Sequence, residues 1–215
     1  HTHKVNNSIA ATHYEHNSGA ACATWWWTGK NFPGIHIGQD GAPGGYQIFE
    51  VSGTDFKWAF KPIGKDTDFQ FRTYDRNQMT ITADKYMDAS ADNTYKNAFN
   101  ELASTWSSTS TDNEVYINIW NYDPQWKIEV TENGTKLDVT QVTVYDPLHL
   151  VTYSAPAMKS STKPTFKTTT TSHMWKVKAS NSSSTLEIKV TDRFGNVFKE
   201  SMKRPKTFSV ETYKF

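Results

Sequence analysis

Short runs in which apolar and polar residues alternate follow one another through the second half of the chain, and they restrict the fold more than any other feature. Neighbouring side chains on an extended strand point to opposite faces, so each run predicts a strand with one face against a core. The runs begin at Val115, Trp126, Leu137, Val142, Leu150, Trp175, Leu186 and Val197. Roughly seven short strands over about 100 residues, with turn signals between them, predict a mostly β fold containing an antiparallel immunoglobulin-like β-sandwich.

Turn signals and an aromatic group add detail to this sandwich. Asn133-Gly134 is the strongest two-residue hairpin signal, and residues 192–196 predict a second tight turn. Trp126 alternates with the apolar positions before the first turn, so we expect it in the core. Trp120, Tyr122 and Trp126 have two interpretations: they pack the two sheets together, or they form a stacking platform for a sugar.

The first half of the chain predicts another hairpin. Its arms are Tyr46–Val51 and Phe56–Phe60, joined by a turn at residues 52–55. Phe56, Trp58 and Phe60 alternate with polar or small residues, so we expect them on the face that packs against a core. A further strand is predicted over residues 68–74.

Residues 75–78 interrupt the strand pattern, and we predict a domain boundary there. One domain would cover residues 1–77 and the sandwich residues 78–215. The pattern predicts one short helix around 94–103, with Asn93 or Thr94 as its N-cap. Residues 155–172, rich in Ser, Thr, Lys and Pro, predict a solvated connection.

Composition excludes several classes of function. The net charge is only +1, which argues against a nucleic-acid-binding surface. No apolar run approaches the roughly 20 residues that a membrane-spanning helix needs. Cys22 is the single cysteine, so an internal disulfide is excluded, and its small apolar neighbours indicate a buried thiol.

Histidines near the N-terminus are the first candidate ligands. His1 and His3 are two residues apart, so on an extended backbone they share a face about 7 Å apart. Such a pair can contribute to a two-metal centre, whose ions lie roughly 3.5–4 Å apart. Alternatively, they are solvated side chains or the remnant of a purification tag. His13 and His16 also have a spacing compatible with metal binding, but their polar neighbours favour an exposed turn.

A tryptophan triplet and a glycine-rich loop follow these histidines. Small residues at 18–24 lead into Trp25, Trp26 and Trp27, which cannot all point to one side of an extended chain. At least one of them should face a second packed layer or a site. The loop at residues 38–45 contains Asp40, and Tyr46 follows it.

Several segments, in this order, resemble the C-terminal part of bacterial calcineurin-like metallophosphoesterases of the cell-envelope type. His1-Thr2-His3 is similar to the end of the family's last metal motif, Gly-His-x-His. The other segments that carry the resemblance are residues 18–22 with 25–27, 40–46, 118–126 and 190–196. The similarity covers about residues 1–205. It implies that residues 1–77 are the last strands of a phosphoesterase domain and that the sandwich is an appended C-terminal domain.

The resemblance also implies a function for the parent protein. That protein would be a hydrolase of phosphate esters in the periplasm or outside the cell, with two divalent metal ions. His1 and His3 would be metal ligands in it, and Trp25, Trp26, Trp27, Asp40 and Tyr46 would form a wall on the substrate side.

The family's upstream motifs, Asp-x-His, Gly-Asp and Gly-Asn-His, do not occur in this sequence, and no glycine precedes His1. Neither an initiator methionine nor a signal peptide is present. We therefore expect a fragment that holds no metal and is not catalytic by itself, with the missing N-terminal catalytic part as its partner. An uncovered tryptophan wall would favour self-association. A non-catalytic carbohydrate- or surface-binding module is the alternative.

Overall fold

The computed structural model describes residues 5–10, 13–18, 28–158 and 168–214. The chain is 40% strand and 21% helix, its sheets are antiparallel and its helices are short. The predicted fold class, mostly β with a β-sandwich, is confirmed. More than the one predicted short helix is present.

The described part of the chain contains the following elements. The strands are β1 (Val5–Ala10), β2 (His13–Ser18), β3 (Gly45–Ser52), β4 (Asp55–Pro62), β5 (Phe71–Asp75), β6 (Glu114–Ile119), β7 (Lys127–Glu132), β8 (Thr135–Leu137), β9 (Val139–Tyr145), β10 (Thr170–Lys178), β11 (Leu186–Thr191) and β12 (Val197–Met202). The helices are α1 (Thr28–Asn31), α2 (Ala83–Tyr86), α3 (Asn93–Leu102), α4 (Pro147–His149) and α5 (Ala155–Ala157). A π-helical segment, Leu150–Ser154, joins α4 to α5, and single 3₁₀ turns cover Arg76–Gln78, Ser104–Trp106 and Val210–Tyr213.

Two four-stranded sheets form the sandwich. The first sheet has the order β5-β6-β10-β9 and the second the order β12-β11-β7-β8. Two further hairpins, β1–β2 and β3–β4, are separate two-stranded ribbons. Every pairing is antiparallel, which agrees with the short connections that the sequence indicates.

The core between the two sheets is apolar. Val115, Ile117 and Ile119 on β6 belong to one buried cluster with Leu186 and Val190 on β11. Trp126 lies in the same cluster and is 7% exposed, so its predicted place in the core is confirmed. Burying one such aliphatic side chain contributes roughly 1.5–3 kcal/mol.

A second core covers the opposite face of the first sheet. Tyr116 on β6 and Met174 on β10 join a cluster with Phe99 of α3 and Leu148 of α4. Ile35 belongs to the same cluster, so a loop from the N-terminal part and the helices share one core. Because β6 is buried on both faces, its two alternating sets of side chains both lie in the interior.

The predicted hairpins are confirmed. At Asn133-Gly134 both residues have positive φ, 49° and 78°, as a type I′ turn requires. In the turn after β11, the Asp192 carboxylate accepts hydrogen bonds from the backbone N–H groups of Phe194 and Asn196, both at 2.8 Å. Hairpin β3–β4 also forms, with Trp58 and Phe60 buried, but Phe56 is 51% exposed.

One strand prediction and one N-cap prediction need correction. Leu150–Tyr153 was expected to be a strand, but it is π-helical. Its residues are buried on every side, and a continuous apolar run does not distinguish a buried strand from a buried helix. Helix α3 forms where it was predicted, but its N-cap is Asp92, whose carboxylate accepts a hydrogen bond from the Thr94 N–H at 2.7 Å.

Segment 155–172 is not a solvated connection throughout. Ala155 and Met158 are buried at its start, and β10 begins at Thr170. Residues 159–167 lie outside the described part of the chain.

Residues on both sides of the predicted boundary at 77 share structure. Strand β5 pairs with β6 of the sandwich, with Arg72 opposite Asn118. The division into 1–77 and 78–215 stays a prediction. In the described residues, no helix is long and apolar enough to cross a membrane.

Candidate functional site

The glycine-rich loop that contains Asp40 is anchored in the interior. Asp40 is 1% exposed, and its Oδ1 accepts a hydrogen bond from the Ala42 N–H at 3.1 Å. Gly41 has φ +80° and lies so close to the first sheet that a Cβ atom would collide with the carboxyl group of Asp146. The loop therefore needs glycine at this position for its conformation and for its contact.

Asn118 on β6 connects this loop to the sheet. Its Nδ2 group donates to the Asp40 carbonyl at 3.0 Å and to the Asp146 carboxylate at 2.8 Å. The Tyr74 hydroxyl donates to the same carboxylate oxygen at 2.8 Å. Buried polar groups that satisfy each other in this way hold one arrangement, because any displacement leaves donors unpaired.

His173 on β10 closes this network. Its Nδ1 lies 2.7 Å from Asn118 Oδ1, which can only accept, so Nδ1 carries a proton. Nε2 lies 3.3 Å from Asp40 Oδ2, so the two ring nitrogens contact two different members of the same group of buried side chains. Burial raises the pKa of Asp40, but the hydrogen bond and charge of His173 outweigh it, so the net pKa is lowered. We call Asp40, Asn118, Asp146, His173 and Tyr74 the buried polar network.

A different group of side chains lies where hairpin β1–β2 meets the sandwich. The Asn7 side chain donates to the Asn121 carbonyl at 2.7 Å. The Tyr14 ring packs on Trp58, with centroids 4.8 Å apart, and His16 packs on the same indole at 5.2 Å. Both His13 and His16 lie in strand β2 and not in the predicted turn; His16 is partly buried, whereas His13 is exposed.

Arg193 joins the two halves of the chain at this place. Its guanidinium carbon lies 4.4 Å from the Tyr14 ring centroid and 5.2 Å from that of Trp58. Its Nη1 is 3.7 Å from the buried carboxylate of Asp123, to which the Tyr14 hydroxyl donates at 3.3 Å. Burial and the nearby Asp123 charge raise the pKa of Tyr14, so the phenol stays neutral and donates. Burial lowers the pKa of His16, although Asp123 and Gln47 oppose this.

A cleft of about 400 Å³ opens beside this group, between hairpin β3–β4 and the turn after β11. Trp58, Trp126, Phe194 and Phe198 supply aromatic surface. Polar side chains also contribute to the lining, among them Glu50, Lys57, Asp68, Gln70, Asn121, Asp192 and Asn196. Aromatic faces with a few polar groups are typical of a site for a small organic ligand. We call this the aromatic cleft.

The residues predicted for the substrate-side wall have different surroundings. Asp40 is buried in the polar network, while Tyr46, at the start of β3, is 53% exposed. Trp25, Trp26 and Trp27 lie outside the described residues, and so do His1 and His3. Their assignment to a wall and to a metal site stays a prediction.

The sugar platform proposed for Trp120, Tyr122 and Trp126 is not a flat exposed surface. Trp120 is fully buried and donates its Nε1–H to the Phe69 carbonyl at 3.0 Å. Tyr122 packs edge-on against Trp175 at 5.3 Å. Trp126 alone of the three lines the aromatic cleft.

Sequence reasoning missed Tyr14, Asp123 and Arg193, which the fold brings together from three segments. The only local signal was an arginine inside the predicted turn 192–196. Across the described ranges, no three His, Cys, Asp or Glu side chains come close enough to hold a metal ion.

Comparison with known proteins gives one match. A family model described as the C terminal of calcineurin-like phosphoesterase matches residues 15–198. No curated protein and no solved structure matches the chain. The matched range begins within β2 and ends within β12, and it includes the whole first sheet and all residues that line the aromatic cleft. The chain therefore belongs to the family of C-terminal domains of calcineurin-like phosphoesterases.

Proposed function

We propose that this domain works together with an N-terminal catalytic part that hydrolyses phosphate esters with two divalent metal ions. In this proposal His1 and His3 are two of the metal ligands, and the others come from the catalytic part. The parent protein acts in the periplasm or outside the cell. The family match supports the pairing with a catalytic part, because the model describes a C-terminal domain.

The main support for the proposal is the hydrogen bond that fixes hairpin β1–β2 to the sandwich. His3 precedes Asn7 by four residues, so the covalent chain keeps their Cα atoms within about 14 Å of each other. The Asn7 side chain is hydrogen-bonded to the backbone of Asn121, which lines the aromatic cleft. The chain length therefore limits how far a metal ion bound by His3 could lie from Asn7 and Asn121.

The aromatic cleft would then bind the organic group of the ester. Trp58 and Phe194 offer apolar faces, and Asn121, Asp192 and Asn196 offer hydrogen-bonding groups. Binding energy from a remote part of the substrate can orient the ester for attack at phosphorus. The domain would thus contribute substrate recognition, while the catalytic part performs the bond cleavage.

The test compares this chain with the complete protein, in which the catalytic part precedes it. The chain alone should not hydrolyse a chromogenic phosphate ester with any divalent ion, whereas the complete protein should. In the complete protein, Arg193→Gln should raise KM about fivefold and leave kcat nearly unchanged, because it removes the cation that packs on Trp58 and Phe194, two aromatic residues of the cleft.

Lys189→Gln is the matched control, since it removes an exposed cation paired with Glu129 on the outer surface of the second sheet. Metal-dependent turnover by the purified chain alone, lost on His3→Ala, would contradict the proposal.

A second candidate function is a carbohydrate-binding module without catalysis. The aromatic cleft favours it, because sugars combine apolar faces with hydroxyl groups. Calorimetric titration with oligosaccharides discriminates the two candidates. Micromolar glycan binding that Trp58→Ala abolishes, with no phosphoesterase activity in the complete protein, would favour the module.

Self-association through Trp25, Trp26 and Trp27 is also a proposal. Each tryptophan can bury on the order of 150–250 Å², so a wall that the catalytic part does not cover favours association. Sizing chromatography of the chain should give a concentration-dependent dimer that Trp26→Ser weakens. A monomer at every concentration would contradict it.

A further inference from the structure

Exposed apolar side chains are concentrated on one hairpin of the described chain. Eight large apolar side chains are exposed among the described residues; a sixth member of this group, Ile63, directly follows β4, and five lie on hairpin β3–β4 itself. These five are Tyr46, Ile48, Phe49, Val51 and Phe56. Single exposed apolar residues are normal on a protein surface, whereas a contiguous group on one element marks an interaction site.

The register of the hairpin places three of these side chains on one face. Phe49 is opposite Trp58, and Val51 is opposite Phe56, so these four side chains share a face of the ribbon. Lys57, between Phe56 and Trp58, points to the other face. We call the exposed part of the first face, formed by Phe49, Val51 and Phe56, the hairpin patch.

Other parts of the chain cover this face only at Trp58. The Trp58 side chain is 6% exposed, because the Tyr14 ring lies 4.8 Å from it and the Phe194 ring 4.7 Å, measured between centroids. Beyond Trp58 the face reaches solvent, with the following exposed fractions: Phe49 50%, Phe56 51% and Val51 73%. The hairpin patch is therefore the exposed continuation of a packed apolar surface.

The chain enters the domain next to the hairpin patch. His16 on β2 packs edge-on against Phe49, with ring centroids 5.5 Å apart. His16 is opposite Asn7, in the strand β1 that begins at Val5. In the proposed function, the segment that leads from the catalytic part into β1 therefore arrives beside the patch.

The size of the patch favours a tethered partner over a second copy of the chain. Aromatic side chains bury about 150–250 Å² each, so three partly exposed side chains offer on the order of 300 Å². A stable complex of separate chains buries about 800 Å² on each partner. Interfaces between domains of one chain begin at about 600 Å² in total, and a covalent link raises the effective concentration to about the millimolar range.

We propose that the hairpin patch is the surface against which the N-terminal catalytic part packs. The inference rests on the proposed function, from which it takes the partner, and it adds the surface that holds the two parts together. Two aromatic rings suit the centre of such an interface, where aromatic residues are enriched. Hairpin β3–β4 also lines the aromatic cleft, so packing at the patch holds the cleft in a fixed position relative to the catalytic part.

Cysteine labelling tests the proposal directly. The native cysteines, Cys22 among them, are first changed to serine, and Val51→Cys then places a thiol on the patch. A maleimide should modify this thiol at least about tenfold more slowly in the complete protein than in the chain of residues 1–215, because the catalytic part covers the patch. Lys57→Cys is the matched control: position 57 is exposed on the other face, so its labelling rate should be the same in both proteins.

Thermal unfolding gives a second measurement. Val51→Ser should leave the melting temperature of the chain alone nearly unchanged, because the side chain is largely exposed there. In the complete protein it should lower the melting temperature by about 2–4 °C, because it removes an apolar contact of the interface. Val197→Ser, at an exposed valine of β12, is the matched control and should have no effect specific to the complete protein.

The outcomes separate this proposal from the proposed function. Equal labelling of Val51→Cys in the two proteins would overturn the proposal, even if the complete protein hydrolyses phosphate esters. Slow labelling of the chain alone that becomes faster on dilution would assign the patch to a second copy and would also overturn it. Protection at position 51 in a complete protein without phosphoesterase activity would support the docking surface and contradict the proposed function.

Discussion

The two faces of strand β6 are both buried, but they are buried in different ways. Val115, Ile117 and Ile119 belong to an apolar cluster with Leu186, Ile188 and Val190 of the second sheet. On the other face, Tyr116 packs among helices, while Asn118 bonds to Asp40, Asp146 and His173. Hydrophobic contacts on the apolar face are non-directional, so small displacements are tolerated there. On the polar face each hydrogen-bond donor must stay aligned with its acceptor. Burial alone therefore does not indicate how sensitive a position is.

The largest expected loss of stability is at Gly41, in the loop that contacts the polar face of β6. Gly41→Ala places a Cβ atom against the Asp146 carboxyl and the Asn118 amide, so we expect a loss of at least about 4 kcal/mol or failure to fold. Gly134→Ala is the matched control: φ is also positive there, +78°, but nothing lies within 4 Å. It should cost only about 1–2 kcal/mol. Equal losses in denaturant unfolding would show that the network imposes no extra constraint.

Trp126→Ala, in the apolar cluster against which β6 packs, should have the next largest effect on stability. Trp126 packs against Phe198 with ring centroids 6.0 Å apart and is 7% exposed. Truncating a buried aromatic side chain costs about 3–5 kcal/mol, so the midpoint of urea unfolding should fall sharply. An unchanged midpoint would contradict its place in the core.

Acid should destabilise the protein through His149, next to the polar network. Burial lowers the pKa of His149 to about 3, from an ordinary value of 6.5. Between these values the unfolded chain binds a proton that the folded chain does not. The free energy of unfolding should therefore fall by about 1.4 kcal/mol per pH unit as the pH drops below 6.5.

The lowered pKa of Asp40 adds a further loss at lower pH, as the pH falls below its ordinary 3.8 towards the folded value. Urea unfolding from pH 7 to pH 4.5 measures the first effect. His149→Gln should flatten the curve, and the exposed His13→Gln should not. A curve that is equally steep in His149→Gln would exclude His149 as the cause.

A smaller effect is expected at Arg193. Its guanidinium stacks on Tyr14 and Trp58 near the surface, and such cation–π contacts contribute about 0.5–2 kcal/mol. Arg193→Gln should lower the free energy of unfolding by about 1 kcal/mol. Adding Tyr14→Leu should then cost less than Tyr14→Leu alone does, because the two residues interact. Fully additive losses in this double-mutant cycle would show that the two side chains are not coupled.

The contrast between the faces also explains what could be predicted from the sequence. Alternation and turn residues predicted the strands around Ile117 and Ile188, the Asn133-Gly134 hairpin and helix α3, because these signals are local. The strand prediction for Leu150–Tyr153 was wrong because a continuously buried run is compatible with a strand and with a helix. The buried polar network and the contact of Tyr14 with Arg193 join segments that are far apart in the sequence. No local sequence pattern predicts which distant residues will be in contact.

We propose that this domain completes a two-metal phosphoesterase through His1 and His3. Metal content measured on the complete protein, with the double change His1→Ala and His3→Ala, tests this most directly. We predict that at least one of two tightly bound divalent ions is lost and that kcat falls by about a thousandfold or more, while the sandwich unfolds as before. Two ions retained with unchanged kcat would contradict the account.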